Sequence, residues 1–177
     1  MSPRLTPPVG ARDHTYGAPR TRITLVEYGD FECPHCGAAH PIIKQIQSSL
    51  GRDVRVVYRH FPMTKVHPHA QHAAEIAEAA AQHGKFWAMH DLLFAHQDAL
   101  ADPDLIRYAE AAGIDPDWAA TVLADGRFQR RVRDDFASGV RSGVNGTPTF
   151  FINGERYEGS ANDLLASLME ATIDAPL

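Results

Sequence analysis

The feature that most constrains this chain is Cys33-Pro34-His35-Cys36, in which two residues separate a pair of cysteines. These are the only two cysteines in the 177-residue sequence, so any disulfide within one chain must join them. A disulfide that closes so short a loop removes little entropy from the unfolded chain. The pattern therefore predicts a reactive cysteine pair rather than a cross-link that stabilises the fold.

The segments on either side of the pair predict a strand, a helix and a second strand. The β-branched and apolar run 23–28 is typical of a largely buried strand. Pro34 suits the first position of a helix with Cys33 as its N-cap, and apolar spacing continues this helix to Leu50. The run 54–59 predicts the second strand, so the unit is a right-handed parallel βαβ.

The remaining pattern predicts a single α/β domain interrupted by helices. Spacing is helical from about 66 to 143, which indicates an all-helical insertion. A strand at 149–152 then precedes Asn153-Gly154, a strong signal for a two-residue hairpin turn, and a closing helix follows from about 161 to 172. The predicted order is β-α-β, helical insertion, β-β-α.

We divide the chain into a mostly irregular N-terminal arm over residues 1–22 and one domain over residues 23–177. The first twenty residues lack the apolar stretch of a signal peptide or a membrane span, which favours a cytoplasmic protein, although removal of an export signal would leave the same sequence. A net charge of −5 gives no reason to expect a nucleic-acid partner, and we expect neither a membrane nor a nucleic-acid partner.

Two motifs together resemble a known family. Cys33-Pro34-His35-Cys36 after the first strand and Gly146-Thr147-Pro148-Thr149 before the hairpin resemble the DsbA-like thiol-disulfide oxidoreductases of the thioredoxin superfamily, particularly a bacterial group without a signal sequence. The resemblance covers about residues 23–171. It implies a thioredoxin-like fold with a central mixed sheet. It also implies a cis Pro148 against the cysteines and a Thr147 backbone that pairs with an extended substrate segment.

The chemistry of the pair follows from its place at a helix start. Free amide groups and the helix dipole stabilise a thiolate there, so Cys33 is the predicted nucleophile and Cys36, one turn later, the resolving cysteine. His35 can add a positive charge or a hydrogen-bond donor near Cys33. The carboxylates of Asp30 and Glu32 should oppose the thiolate, and the sequence does not decide which effect is larger.

Three further residues complete the predicted site. Glu27 lies in the first strand, where the resemblance implies a buried acid that relays a proton to or from Cys36; the alternative is an edge-strand glutamate that faces solvent. Phe31 is predicted to be a wall of the site or an exposed contact for substrate, and Pro34 a further substrate contact.

We predict dithiol-disulfide exchange with protein substrates, as an oxidase or isomerase rather than a reductase. The cysteine pair carries the electrons without a bound cofactor. We expect a monomer that is recycled by an unidentified redox partner. A redox-sensing or partner-binding domain without broad turnover is an alternative. A glutathione-dependent enzyme is less favoured, because such enzymes normally work without a second active-site cysteine.

A metal-binding module is a third alternative. Cys33, Cys36 and His40 have ligand-like spacing, and seven histidines lie between residues 60 and 96. A closed zinc site needs four ligands, however, and the chain has no second cysteine pair. We therefore predict no metal site.

Overall fold

The computed structural model describes residues 3–174. Five strands form one mixed sheet in the order β1-β3-β2-β4-β5, in which β2 and β3 are parallel and the other neighbours antiparallel. The strands are β1 His14–Tyr16, β2 Ile23–Gly29, β3 Val54–His60, β4 Thr149–Ile152 and β5 Glu155–Arg156. The predicted thioredoxin-like fold with a central mixed sheet is confirmed.

Seven helices of the described segment surround the sheet. They are α1 Pro34–Leu50, α2 Ala70–Ala81, α3 Phe86–Ala95, α4 Asp102–Ala111, α5 Pro116–Asp125, α6 Gln129–Arg141 and α7 Leu164–Asp174, the last preceded by a short 3₁₀ turn at Ala161–Asp163. Helices α2 to α6 all lie between β3 and β4, so they make up the all-helical insertion that the sequence predicts.

The side chains of β2 alternate between the two faces of the sheet, as a strand requires. Ile23 and Leu25 pack with Ile43 of α1 and Leu168 of α7, whereas Val26 belongs to a second cluster on the opposite face. Glu27 therefore faces α1, on the same side of the sheet as the helix that begins at the cysteines.

The insertion packs directly onto the cysteines. One continuous cluster of buried residues contains Cys33 and Cys36 together with Met89, Leu93 and Phe94 of α3. The position of the reactive pair is consequently fixed by contacts with the insertion as well as by the sheet.

The N-terminal arm is more regular than predicted. Residues 14–16 form β1, which pairs with Tyr58, Val57 and Val56 of β3 and covers what would otherwise be an open sheet edge. The arm is also anchored by a buried ion pair, in which Arg59 donates to both oxygens of Asp13 at 2.8 and 3.0 Å. The arm thus contains one short strand that the sequence analysis did not predict.

The predicted hairpin turn forms at Asn153-Gly154 between β4 and β5, and both turn residues have positive φ, at 50° and 86°. Across residues 3–174 we find no helix with both the length and the apolar composition needed to cross a bilayer.

Candidate redox site

The two cysteines lie at the start of α1. Cys33 is the N-cap residue with extended backbone angles, Pro34 takes the first helical position, and no side chain caps the helix. The amide groups of the first turn are therefore available to a negatively charged group at Cys33. Both cysteines are free thiols here; Cys33 is 4% exposed and Cys36 is completely buried.

The pKa of Cys33 is lowered to about 5. The largest cause is a hydrogen bond from the Cys36 thiol to the Cys33 sulfur, and the side chain of Thr147 and the backbone amides of Cys36 and His35 add to it. Burial acts in the opposite direction and is outweighed. Cys33 is therefore largely a thiolate at neutral pH, which is the form that attacks disulfides.

Cys36 is the opposite case, since its pKa is raised well above the ordinary value. Burial is the main cause, followed by the hydrogen bond that its thiol donates to Cys33 and by the negative charges of Glu27 and Cys33. The backbone amide of Asp30 lies 3.5 Å from the Cys36 sulfur and partly offsets these effects. The division between nucleophile and resolving cysteine thus has a physical basis.

Glu27 is buried in β2, with 3% of its surface exposed. Burial, and to a lesser extent the negative charge of Cys33, raise the pKa of its carboxyl group to about 8. Within residues 3–174 the carboxyl group makes no ion pair. The alternative of a solvent-facing edge glutamate is wrong, because β2 lies between β3 and β4.

The segment before β4 completes the site. The Thr147–Pro148 peptide bond is cis, as the resemblance implied. The Cys33 sulfur lies 3.5 Å from the carbonyl oxygen of Thr147, so this loop contacts the nucleophile. A groove of about 470 Å³ runs beside it and is lined by His35, Thr147, Pro148 and Tyr157, among others.

The structure exposes two of the predicted rim and substrate residues and buries the third, Phe31. Pro34 and His35 are exposed at the rim. His35 contributes its backbone amide to the lowered pKa of Cys33. Phe31 cannot be an exposed substrate contact, because it is 1% exposed and stacks on Tyr58 with the ring centres 5.2 Å apart. Its prediction as a substrate-binding residue is corrected to a core residue beneath the cysteines.

The acidic residues next to Cys33 are held by the loop after β3. The carboxylate of Asp30 accepts hydrogen bonds from the Met63 amide at 2.8 Å and from the His67 ring at 2.7 Å. That of Glu32 accepts one from the His69 amide at 2.7 Å. These donors offset the charges that were expected to oppose the thiolate, and hydrogen bonds with Cys36, Thr147 and His35, rather than these charges, are the main causes of the lowered pKa of Cys33.

One residue near the cysteines was missed by the sequence analysis. Gln97, in the turn after α3, donates from Nε2 to the carbonyl oxygens of Phe31 and Cys33, each at 2.8 Å. No sequence signal marks this contact, because a polar residue in a predicted turn gives no indication of a partner more than sixty residues away.

Potential metal ligands converge elsewhere. In the part of the chain that the structure describes, the two groups of three are His14, His60, Glu78 and His40, His90, Asp91. Neither contains a cysteine, so the ligand set of Cys33, Cys36 and His40 does not assemble. In each group a cation of the chain already lies beside the carboxylate: Arg131 by the first and Lys44 by the second.

Comparison with known proteins agrees with this geometry. The family model described as Thioredoxin matches residues 11–174. BdbD from Bacillus subtilis in its oxidised form superposes with a TM-score of 0.85 at 20% identity, covering 98% of both chains. DsbA2 from Pseudomonas aeruginosa superposes with a TM-score of 0.71 at 25% identity, covering 90% of this chain and 94% of its own.

A different kind of relative matches by sequence. The Na(+)/H(+) antiporter NhaA 3 of Salinispora tropica is 49% identical over 94% of this chain, but only 26% of the antiporter is covered. The chain thus spans about a quarter of the length of the curated relatives it matches.

Proposed function

The chain belongs to the thioredoxin family as a DsbA-like member, and from this premise we propose that it is a thiol-disulfide oxidoreductase acting on protein substrates. The observation that supports this most strongly is the contrast within the pair: the pKa of Cys33 is lowered to about 5, whereas that of Cys36 is raised. A structural disulfide needs no such contrast. We propose that the pair itself carries the electrons, without a bound cofactor.

In the oxidising direction the cycle begins with the Cys33–Cys36 disulfide. A substrate thiolate attacks the sulfur of Cys33, the Cys33–Cys36 bond breaks, and Cys36 leaves with the electron pair and takes up a proton. A second substrate thiolate then attacks the substrate sulfur of the mixed disulfide and releases Cys33 as a thiolate. The substrate loses two electrons and the pair gains them. The reducing direction uses the same atoms in reverse.

We assign to Glu27 the proton that Cys36 takes up or loses. Its pKa of about 8 lets the carboxyl group give or accept a proton near neutral pH, and its charge is felt by Cys36. We expect Glu27→Gln to lower turnover by about 100-fold, because a positioned proton donor typically contributes that much. Stopped-flow kinetics with a disulfide-forming peptide measures it; turnover equal to that of the unmodified protein would remove Glu27 from the mechanism.

Substrate would lie along the loop that carries the cis proline. We propose that an extended segment pairs with the backbone of Thr147 and that Pro34 and His35 contact it from the rim of the groove. Thr147 lines this groove and its carbonyl oxygen also contacts the Cys33 sulfur, so a cysteine in such a segment would meet the nucleophile.

Single-cysteine variants test the cycle. Cys33→Ser should abolish turnover, because the remaining thiol is buried and protonated. Cys36→Ser should retain attack and accumulate mixed disulfides that a reductant releases. A Cys33→Ser protein with normal turnover would refute the mechanism. Non-reducing electrophoresis with mass spectrometry identifies the trapped cysteine.

The equilibrium reduction potential in glutathione buffers tests the direction. We propose an oxidase or isomerase, since a stabilised thiolate favours the reduced pair and so makes the disulfide a stronger oxidant. A value more oxidising than about −200 mV fits this proposal, whereas one near about −270 mV would indicate a thioredoxin-like reductase suited to the cytosol.

A second candidate function is supported by the antiporter match. The 49% identity over 94% of the chain suggests a redox-responsive domain that serves a single ion-transport protein rather than many substrates. Trapping with Cys36→Ser separates the two candidates: one dominant partner with poor activity on generic disulfides supports the redox-responsive domain, and many partners support the oxidoreductase.

A further inference from the structure

We propose that Gln97 is a positioning residue of the redox site, which holds the turn before α1 in place and so ties the oxidising strength of the cysteine pair to the helical insertion. The inference rests on the proposed function. Gln97 touches neither sulfur, so it acts through the backbone.

The two hydrogens of one amide group serve two carbonyl groups of this turn. Nε2 of Gln97 donates to the oxygen of Phe31 and to that of Cys33, both at 2.8 Å. The Cys33 oxygen also accepts from the Gly37 amide at 3.0 Å within α1. Among the hydrogen bonds of residues 3–174, that from Gln97 is the one made to the Phe31 carbonyl.

The amide oxygen of the same side chain lies against helix α1. A Cβ at Gly37 would collide with Oε1 of Gln97, so the glycine that follows Cys36 provides the space in which the Gln97 amide sits. Gln97 thus spans the join between the turn and the first turn of α1. Its own backbone follows α3, whose buried residues Met89 and Leu93 share the core of the cysteines.

The position of the turn controls the charge at Cys33. The backbone amides of His35 and Cys36 help lower the pKa of Cys33, and such a hydrogen bond weakens steeply when distance or angle departs from the optimum. Without Gln97 the half-buried Phe31 carbonyl must find another donor, which moves the turn. The thiolate is then less stabilised, and the disulfide becomes a weaker oxidant.

The test compares Gln97→Ala and Gln97→Glu with Gln71→Ala in the full chain. Gln97→Glu keeps the shape but replaces the two donors with an acceptor. Gln71 is a matched control, because its amide donates to Glu75 at 2.8 Å within the same insertion and not to the turn that carries the cysteines. The readouts are the pKa of Cys33, from the pH dependence of alkylation by iodoacetamide, and the equilibrium constant with glutathione.

Both Gln97 variants should raise the pKa of Cys33 by about one unit and lower the constant for reduction by glutathione about tenfold, which corresponds to about 30 mV. Gln71→Ala should change neither. Gly37→Ala should shift both readouts in the same direction as Gln97→Ala, and the double variant should show no further shift. Folded Gln97 variants with an unchanged Cys33 pKa and an unchanged constant would overturn the proposal.

The alkylation readout separates this proposal from the proposed function. It needs only a reactive thiol, so the pKa comparison still decides the role of Gln97 in a protein that shows no disulfide exchange. Conversely, an active protein whose Gln97 variants match the unmodified chain refutes only the positioning role.

Discussion

Two glutamates of this molecule are equally buried, yet their surroundings are opposite. Glu27 in β2 and Glu78 in α2 are each 3% exposed. Glu78 accepts hydrogen bonds on Oε1 from His14 at 2.7 Å and His60 at 2.8 Å, and these outweigh the effect of burial, so its pKa is lowered. Within the described residues Glu27 has no such partners, and its pKa is raised to about 8.

The difference teaches how to separate structural from chemical roles for a buried acid. A partnered carboxylate joins elements: through Glu78, helix α2 is tied to β1 and to the end of β3. An unpartnered one adds nothing to stability as an anion, which fits the proton-transfer role proposed for Glu27 beside the two cysteines. The same substitution at the two sites should therefore have opposite consequences.

The largest expected effect is on stability at Glu78. Glu78→Gln removes the charge that pairs buried His60 and half-buried His14 and should lower the free energy of unfolding by about 3 kcal/mol, because breaking a buried charged network leaves its partners unsatisfied. Glu27→Gln is the matched control and should raise stability at neutral pH, because Glu27 is protonated in the folded protein but ionised in the unfolded chain. Urea unfolding of the reduced proteins measures both; equal losses would erase the distinction.

The second prediction concerns pH. In the reduced protein the pKa of Cys33 falls from 9.0 to about 5 on folding, so its contribution is lost as pH falls and grows between pH 5 and 9. The pKa of Glu27 rises from 4.5 to about 8, so its contribution is present below pH 4.5 and is lost as pH rises to 8. The two trends oppose each other between pH 5 and 8.

Glu27→Gln removes the fall in stability that Glu27 causes as pH rises and should leave the rise that Cys33 causes. The stability of this variant relative to the unmodified protein should rise by up to about 1.4 kcal/mol for each pH unit between those limits. Urea titrations at several pH values, with reductant present, provide the measurement. Parallel stability curves for the two proteins would mean that Glu27 is not an unpartnered acid.

The sequence predicted the parts of this comparison that depend on local pattern. The order of elements from β2 to α7, the proposed roles of Cys33 and Cys36, and the hairpin at Asn153-Gly154 all follow from short-range signals. The prediction that Glu27 is a buried acid required the family resemblance, since the pattern of its strand does not show whether the side chain faces solvent.

What the sequence could not predict depends on contacts between distant segments. Phe31 is buried because Tyr58 and Phe94 pack against it, and β1 exists because the edge of β3 is available to a three-residue segment. The partners of Glu78 come from β1 and β3, and Gln97 reaches the cysteines from the insertion. Only the assembled fold distinguishes the two glutamates.

The smallest expected effect tests whether Glu27 lacks a partner in solution. Tyr58 is its neighbour in the register of β2 and β3, and the Tyr58 hydroxyl is buried without a hydrogen-bond partner in the described part of the chain. Tyr58→Phe removes an unsatisfied group and should raise stability slightly, by less than about 1 kcal/mol, without changing turnover or the pKa of Cys33.

Tyr28→Phe is the matched control, because the equally buried hydroxyl of Tyr28 lies 2.7 Å from Ser138 Oγ and accepts from Arg59 at 2.9 Å. Its loss should cost about 1 to 3 kcal/mol. If Tyr58→Phe instead slowed turnover and destabilised the protein as Tyr28→Phe does, the Tyr58 hydroxyl would be a donor to Glu27. Glu27 would then be a partnered acid like Glu78, and the contrast between the two glutamates would no longer hold.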